Sequence, residues 1–205
     1  LTLSGTNTSG STVEVFNGSS SLGAAIVSGT DWTFDASIAD GATYQLNIKE
    51  TDAAGNTSAA TSNFTIIGDT TAPTVTIASI DSITEDSDDA TADFTTNQAT
   101  VTVAATLSTA LIAGESAQYS IDGGANWTTT NLTVSGTAIS ITGVDASTVT
   151  SIKIQVLDAA GNAGTTATQA ITYDATAPTV TIASIDSVTE DSDDATADFT
   201  TNQAT

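Results

Sequence analysis

The sequence has no cysteine and no histidine, and its only bases are Lys49 and Lys153. Without cysteine there is neither a disulfide framework nor a thiolate metal site, so the fold must be held by core packing and by any metal it binds. Without histidine or cysteine, serine and cysteine triads and imidazole acid–base chemistry are excluded, and zinc and copper lose their usual ligands. Two bases against 24 acids give a net charge of −22, a surface that repels nucleic acid and anionic lipid headgroups. No run of 18 apolar residues and no signal-peptide pattern is present, so membrane insertion is not expected and any anchor or export signal is expected outside this sequence. The chain opens at Leu1 without an initiator Met and breaks off early in a repeat, and is therefore expected to be a fragment of something longer.

What is present argues against disorder. Some 39% of residues are hydrophobic, and Val, Ile, Thr and aromatics fall into short alternating runs that disordered acidic chains lack. Period-two runs recur as STVEVF, TYQLNI, PTVTIASI, ATVTVAAT, AQYSID, AISI, SIKIQVL and TQAITY, bounded by Gly, Ser, Asn and Asp. Helical periodicity is nearly absent, so the protein is predicted to be all-β. Asn17-Gly18 predicts a type I′ hairpin, and Asp122-Gly123-Gly124 a looser one. Turns at this spacing predict antiparallel sandwiches of about seven strands.

Residues 71–100 and 176–205 agree at every position except Ile83 against Val188. The period, 105 residues, is too long for a solenoid unit and suits one small domain, so the chain is predicted to be an array of domains. The landmarks of residues 1–70 keep step with the next repeat: Ser28-Gly29 with Ser135-Gly136, Asp40 with Asp145, DAAGN at 52–56 with DAAGN at 158–162, and Asp69 with Asp174. The expected domains are 1–69, lacking its first strand, 70–174, complete, and 175–205, the start of a third.

The segment Asp40-Gly-Ala-Thr-Tyr44-Gln-Leu46 resembles the strand F signature of immunoglobulin domains, with Leu46 in the cysteine position and Tyr44 placed for a tyrosine corner; the second repeat keeps Asp145 without the tyrosine. The combination GSTVEVFNGSSSLG, DWTF, DGATYQLNIKETDAAGNTS and DTTAP resembles the bacterial Ig-like tandem extender repeats of giant RTX-type surface adhesins, of the biofilm-associated or ice-binding kind. The resemblance covers the whole chain. It implies an elongated array of Ig-like sandwiches, export by type I secretion to the extracellular bacterial surface, and calcium as the bound ion. The calcium-binding nonapeptides and terminal ligand-binding modules of those adhesins are absent here.

In a seven-strand sandwich whose strands alternate in direction, loops sort to the two ends, and the acids sort with them. The loop after a first strand at about Thr74 to Ile80 holds Asp81, Glu85, Asp86, Asp88, Asp89 and Asp93. With Asp145 and the linker residue Asp174 it is expected at the junction with the third domain; Asp186, Glu190 and Asp191 carry the same run in the next copy of the repeat. Asp158 and Asn162 are expected at the other end, facing Asp69 and Asp40. Asp52 and Asn56 occupy the equivalent loop of the first domain. Calcium takes six to eight hard oxygen ligands in forgiving geometry, which such loops supply, whereas magnesium demands a tighter octahedron. The competing reading of DAAGN is a plain turn, and that of Glu85 to Asp89 a solvated acidic loop, although close like charges cost roughly 1 kcal/mol per pair even in water. Pro73 and Pro178 are expected to open the first strands and stiffen the linkers. Trp32 and Trp127 are read as core rather than as sugar platforms.

These features weigh three functions. An enzyme is the weakest, since a carboxylate pair would need a cleft that repeated sandwiches do not offer. A glycan- or cell-binding Ig-like adhesion module is the alternative, but near-perfect duplication serves length better than recognition. The leading expectation is a monomeric stalk whose partners are its own neighbouring repeats and calcium ions.

Overall fold

The structure is a computed structural model that describes residues 1–84 and 93–183; the candidates Glu85, Asp86, Asp88, Asp89, Asp186, Glu190 and Asp191 lie outside the described residues. Cα packing divides the chain into two compact units, Leu1–Tyr173 and Asp174–Thr205. Every secondary-structure element of the described residues is a strand, as the period-two runs predict.

The first half of the larger unit contains β1 (Thr2–Thr6), β2 (Thr12–Asn17), β3 (Ser20–Ala24), β4 (Ile26–Ser28), β5 (Asp31–Asp35), β6 (Thr43–Thr51) and β7 (Phe64–Ile67). They form two antiparallel sheets, β1-β5-β4 and β3-β2-β6-β7. The second half contains β8 (Ile77–Ile83), β9 (Thr95–Thr96), β10 (Thr100–Leu107), β11 (Ser116–Ser120), β12 (Leu132–Ser135), β13 (Ala138–Asp145), β14 (Ser151–Leu157), β15 (Ala167–Ala170) and β16 (Thr172–Tyr173). Here the sheets are β12-β13-β10-β8 and β11-β14-β15, flanked by a short parallel pair of β16 with β9. Among the described residues every strand pairing stays within one half. The order β1-β5-β4 matches β10-β13-β12, and β8 has no counterpart strand among residues 1–67.

Alternation builds the sandwich. In β10 Val101, Val103, Ala105 and Leu107 point inward, and Ile139 and Ile141 of β13 meet them. Ile152, Ile154 and Val156 of β14 close the core from the other sheet, each at most 1% exposed. The first half has a smaller core of Val13, Val15 and Trp32, with Leu3, Val27, Phe34 and Ile48 half-buried around it. Gly5 of β1 lies under the Trp32 indole, where a Cβ would stand 2.9 Å from the ring.

The matching Ser-Gly landmarks are matching turns. Ser28 ends β4 and Ser135 ends β12, and Gly29 (φ 66°) and Gly136 (φ 61°) take the left-handed conformation that glycine adopts without cost. The Asn17-Gly18 hairpin differs from expectation. Asn17 pairs with Ser20, so the loop residues are Gly18 and Ser19, and the positive φ falls on Gly18 at the first loop position, as in a type II′ turn rather than type I′. Asn17 stays in the strand because its Oδ1 accepts the Gln45 N–H at 2.7 Å.

Strand β8 also departs from its expected bounds. It begins at Ile77 rather than beside Pro73 and runs past Asp81 to Ile83. Two register shifts against β10 leave Ile77, Ile80 and Ile83 facing the core at intervals of three, so a period-two reading stops too early. Asp81 is thus a strand residue at a bulge, not a loop residue. Trp127 is half-buried beside Gly124 rather than in the core.

Candidate functional site

The linker between the halves is held from both sides. On the first-half side, Tyr44 in β6 reaches back so that its hydroxyl accepts the Ala39 N–H at 3.1 Å, the tyrosine corner its sequence position predicts. The corner then grips the end of β7: Gly41 N–H donates to Gly68 O at 2.8 Å and Gly68 N–H to Ala42 O at 2.9 Å. Gly68 is buried and has no room for a side chain, since a Cβ would stand 2.0 Å from the Ala39 carbonyl oxygen. This clamped corner aims Asp40 at the linker. Its Oδ1 accepts the Thr70 N–H at 2.7 Å and its Oδ2 the Thr71 hydroxyl at 2.9 Å. The Thr70 N–H, followed by the Thr71 hydroxyl, holds the Asp40 carboxyl below the usual aspartate range.

From the second-half side comes the loop Asp158 to Asn162. Asp158 Oδ1 accepts the Ala160 and Asn162 N–H groups at 2.9 and 2.8 Å, and Oδ2 accepts Asn162 Nδ2 at 2.8 Å. The same Nδ2 donates to Asp69 O at 3.1 Å and lies 3.4 Å from Asp69 Oδ1. Two carboxylates from different halves therefore share one amide group. Asp69 Oδ1 also accepts the Thr71 N–H at 3.1 Å. Beyond it Pro73 rests against Gly164, where a Cβ would meet the proline ring at 3.2 Å. Pro73 thus stiffens the linker by packing on the second half rather than by opening a strand.

Asp52 and Asn56 repeat the lock in the first half, with Asn56 N–H and Nδ2 on Asp52 at 2.8 and 2.9 Å. The Asn56 side chain first, then its backbone N–H, keep the Asp52 carboxyl depressed; the Asn162 side chain does the same for Asp158. In both loops every carboxylate oxygen is engaged by the loop's own donors, as a turn requires. A third lock lies at Asp122, whose carboxylate takes Asn126 N–H at 2.9 Å and Asn126 Nδ2 at 2.6 Å. The signal for it is the repeated four-residue spacing from Asp to Asn, hidden because the residues between are Gly-Gly-Ala rather than Ala-Ala-Gly.

The other expected acids are dispersed. Asp81 accepts the hydroxyls of Ser79 and of Thr106, the latter at 2.6 Å. Asp145 lies opposite Thr100, at the far end of β10 from the Ala104–Ala105 step facing Asp81, roughly 15 Å away at strand rise. Its carboxyl is held down by the Ser147 hydroxyl, at 2.6 Å. Asp174 accepts the Thr176 N–H at 2.8 Å, which lowers its pKa. Among the described residues no three acids gather closely enough to hold a metal ion. The junction brings Asp40, Asp69, Asp158 and Asn162 to one short linker, while Asp52 and Asn56 lie in the first half's own loop, and Thr70, Thr71 and Gly68 are junction residues that the spacing of acids does not reveal.

Among the described residues no helix is long and apolar enough to cross a membrane. No curated protein matches the chain. Among solved structures, it is similar to fibronectin(III)-like modules of Clostridium thermocellum CbhA, with 14% identity over 84% of this chain and 85% of that one and a TM-score of 0.47. Residues 1–70, with their seven strands and tyrosine corner, match the family described as Bacterial Ig-like domain.

Proposed function

We propose that this chain is a structural extender of a secreted bacterial adhesin, in which tandem Ig-like domains set the length and calcium at their junctions sets the stiffness. The observation that carries the reading is the doubly held linker: Asp40 fastens Thr70 and Thr71 from one half, and Asn162 fastens Asp69 from the other. A short connection, residues 68–76 between β7 and β8, tied at both ends transmits orientation from one sandwich to the next, as a spacer must. Bacterial Ig-like domains are often surface-exposed, which supports an extracellular place for residues 1–70 and, by the repeat, for the chain.

Asp69 and Asp158 approach one amide group with no base between them. A hard cation there would take the place of the Asn162 amide that the two carboxylates now share, drawing its other oxygens from outside the acids, since among the described residues no three acids gather closely enough to hold an ion. Calcium there would be held by Asp69 and Asp158, with Asp40 next in line, and would take its remaining oxygens from backbone carbonyls and water. It would supply the positive charge the sequence does not. Extracellular calcium modules commonly bind at about 10⁻⁴ to 10⁻³ M, so such junctions fill outside the cell and stay empty within it.

Small-angle scattering of the 205-residue chain in calcium and in chelator tests the reading. The expected result is a longer maximum dimension and a higher melting temperature with calcium, both lost in Asn162→Ala combined with Asp69→Ala. An unchanged dimension and melting temperature would refute the calcium clamp. A compact, globular scattering profile under both conditions would refute the spacer itself.

A further inference from the structure

The triplet Asn-X-Ser/Thr, the acceptor pattern for a sugar on the asparagine side-chain nitrogen, occurs six times, at Asn7, Asn17, Asn56, Asn63, Asn126 and Asn131. A chain this rich in serine and threonine produces such triplets by composition alone, so the fold decides which of them is open to chemistry. An acceptor needs an exposed asparagine with an uncommitted amide, and a hydroxyl two residues on that faces the same way.

Five of the six are engaged. Asn7 Nδ2 donates to Thr8 O at 2.8 Å, Asn56 Nδ2 to Asp52 Oδ2 at 2.9 Å and Asn126 Nδ2 to Asp122 Oδ2 at 2.6 Å. Asn17 is half-buried in β2, its amide fixed by the Gln45 N–H. Asn63 accepts Asn47 Nδ2 at 3.0 Å, and the Thr65 hydroxyl of its triplet donates to Gln45 Oε1 at 3.1 Å.

Asn131 differs. Leu132 N–H donates to Thr129 O at 3.1 Å and closes a turn whose third residue is Asn131, at φ 58°; asparagine is among the few non-glycine residues that take this left-handed conformation readily. Its backbone oxygen accepts the Thr142 N–H at 3.1 Å. The main chain is thus anchored, while the exposed side chain makes no hydrogen bond among the described residues. Beside the amide lies Gly143, where a Cβ would stand 3.6 Å from Nδ2, so no side chain covers it from that position.

Strand β12 begins at the next residue and alternates. Leu132 and Val134 pack against the core, and Thr133 and Ser135 face outward with Asn131. Thr133 Oγ1 lies 3.4 Å from Ser140 O, past the usual range of a hydroxyl bond, which leaves it available to a second partner. Strand β12 is the outer strand of its sheet, at the opposite edge from β8. It contains neither a charged residue nor a proline, the usual means of keeping an edge from pairing with another chain.

We propose that Asn131 accepts a sugar from a diphosphate-activated donor, and that the sugar shields the β12 edge. Nδ2 bonds to the anomeric carbon as the bond from that carbon to the diphosphate oxygen breaks. The diphosphate leaves with the electron pair, and one amide proton passes to a base of the transferase. The inference goes beyond the stalk reading and rests on neither calcium nor length.

Intact mass and peptide mapping of the folded 205-residue chain test it in two arms. One supplies UDP-glucose and a soluble asparagine-directed glucosyltransferase, the other a lipid diphosphate-linked oligosaccharide and a membrane-bound oligosaccharyltransferase. The expected result is addition at Asn131 in at least one arm, which also identifies the donor class, with Asn56 and Asn126 unmodified. Asn131→Gln should abolish it. Thr133→Ala should abolish it too, at an unchanged melting temperature, because the Thr133 side chain is exposed and the Asn131 amide stays in place. No addition at Asn131 in either arm, preferential addition at the engaged asparagines, or undiminished addition in Thr133→Ala would overturn the proposal.

Discussion

Replacing Gly68 by alanine attacks the junction at its tightest point. The new Cβ would stand 2.0 Å from the Ala39 carbonyl oxygen and 2.8 Å from Ile38 Cγ2, whereas carbon and oxygen settle no closer than about 3.3 Å. The first obstacle is backbone, so it cannot rotate away, and the two segments must part by about 1 Å. That displacement carries Gly41 N–H to Gly68 O and Gly68 N–H to Ala42 O, at 2.8 and 2.9 Å, beyond hydrogen-bonding range. Overpacking costs about 1–3 kcal/mol and each lost bond about 1 kcal/mol. Against this stands a gain of about 0.4–1 kcal/mol from a stiffer unfolded chain, which leaves a loss of roughly 2–5 kcal/mol. At about 4–8 °C per kcal/mol for a domain the size of the first half, the earliest transition in calorimetry of the full chain should fall by at least about 8 °C. The core around Ile154 lies in the other half and should melt where it did before. A first transition within about 2 °C of the parent would refute the reasoning, because no arrangement that keeps both bonds has space for the methyl group.

Asp40→Ala should lower the melting temperature near neutrality and leave it unchanged in acid. The wild-type carboxyl is held below its usual 3.8 by the Thr70 N–H and the Thr71 hydroxyl. Such a group contributes stability above that value and loses it as pH falls through the lower folded-state pKa. Melts at pH 6 and near pH 2 check the sign, and an equal gap at both would contradict it. Ile154→Ala removes a fully buried side chain from β14 and should cost about 2–5 kcal/mol in urea unfolding; a loss below about 1 kcal/mol would mean the two sheets pack less closely than they do here.

Much of this architecture is legible in the letters because alternation and turn chemistry act locally. The run VTVAATL puts Val101, Val103, Ala105 and Leu107 on one face, and β10 follows from it. Tyr44 is legible because a corner hydroxyl needs a backbone partner only a few residues away, here Ala39. What escapes depends on contacts between distant residues. Strand β1 contains Gly5, which lowers strand propensity, and the residue that requires a glycine there is Trp32, in a partner strand. The length of β8 is set by bulges against β10, so its isoleucines fall at intervals of three. In the candidate site, the pairing of Asn162 with Asp69 follows from the arrangement of loops at one end of a sandwich. The use of Asp40 does not, because its partners are a backbone N–H and a threonine hydroxyl at Thr70 and Thr71 rather than another acid.

The short parallel pair of β9 and β16 has a mechanical consequence. Thr172 and Tyr173 lie beside Thr95 and Thr96, with Thr172 N–H on Phe94 O at 2.9 Å, and the chain leaves the half directly afterwards at Asp174. A pull directed along β16 loads it along its own axis. The evenly spaced bonds of a parallel ladder then carry the load together, in shear, instead of parting one at a time. Tension delivered down the chain meets its first resistance at these two residues, before it reaches the buried isoleucines behind them.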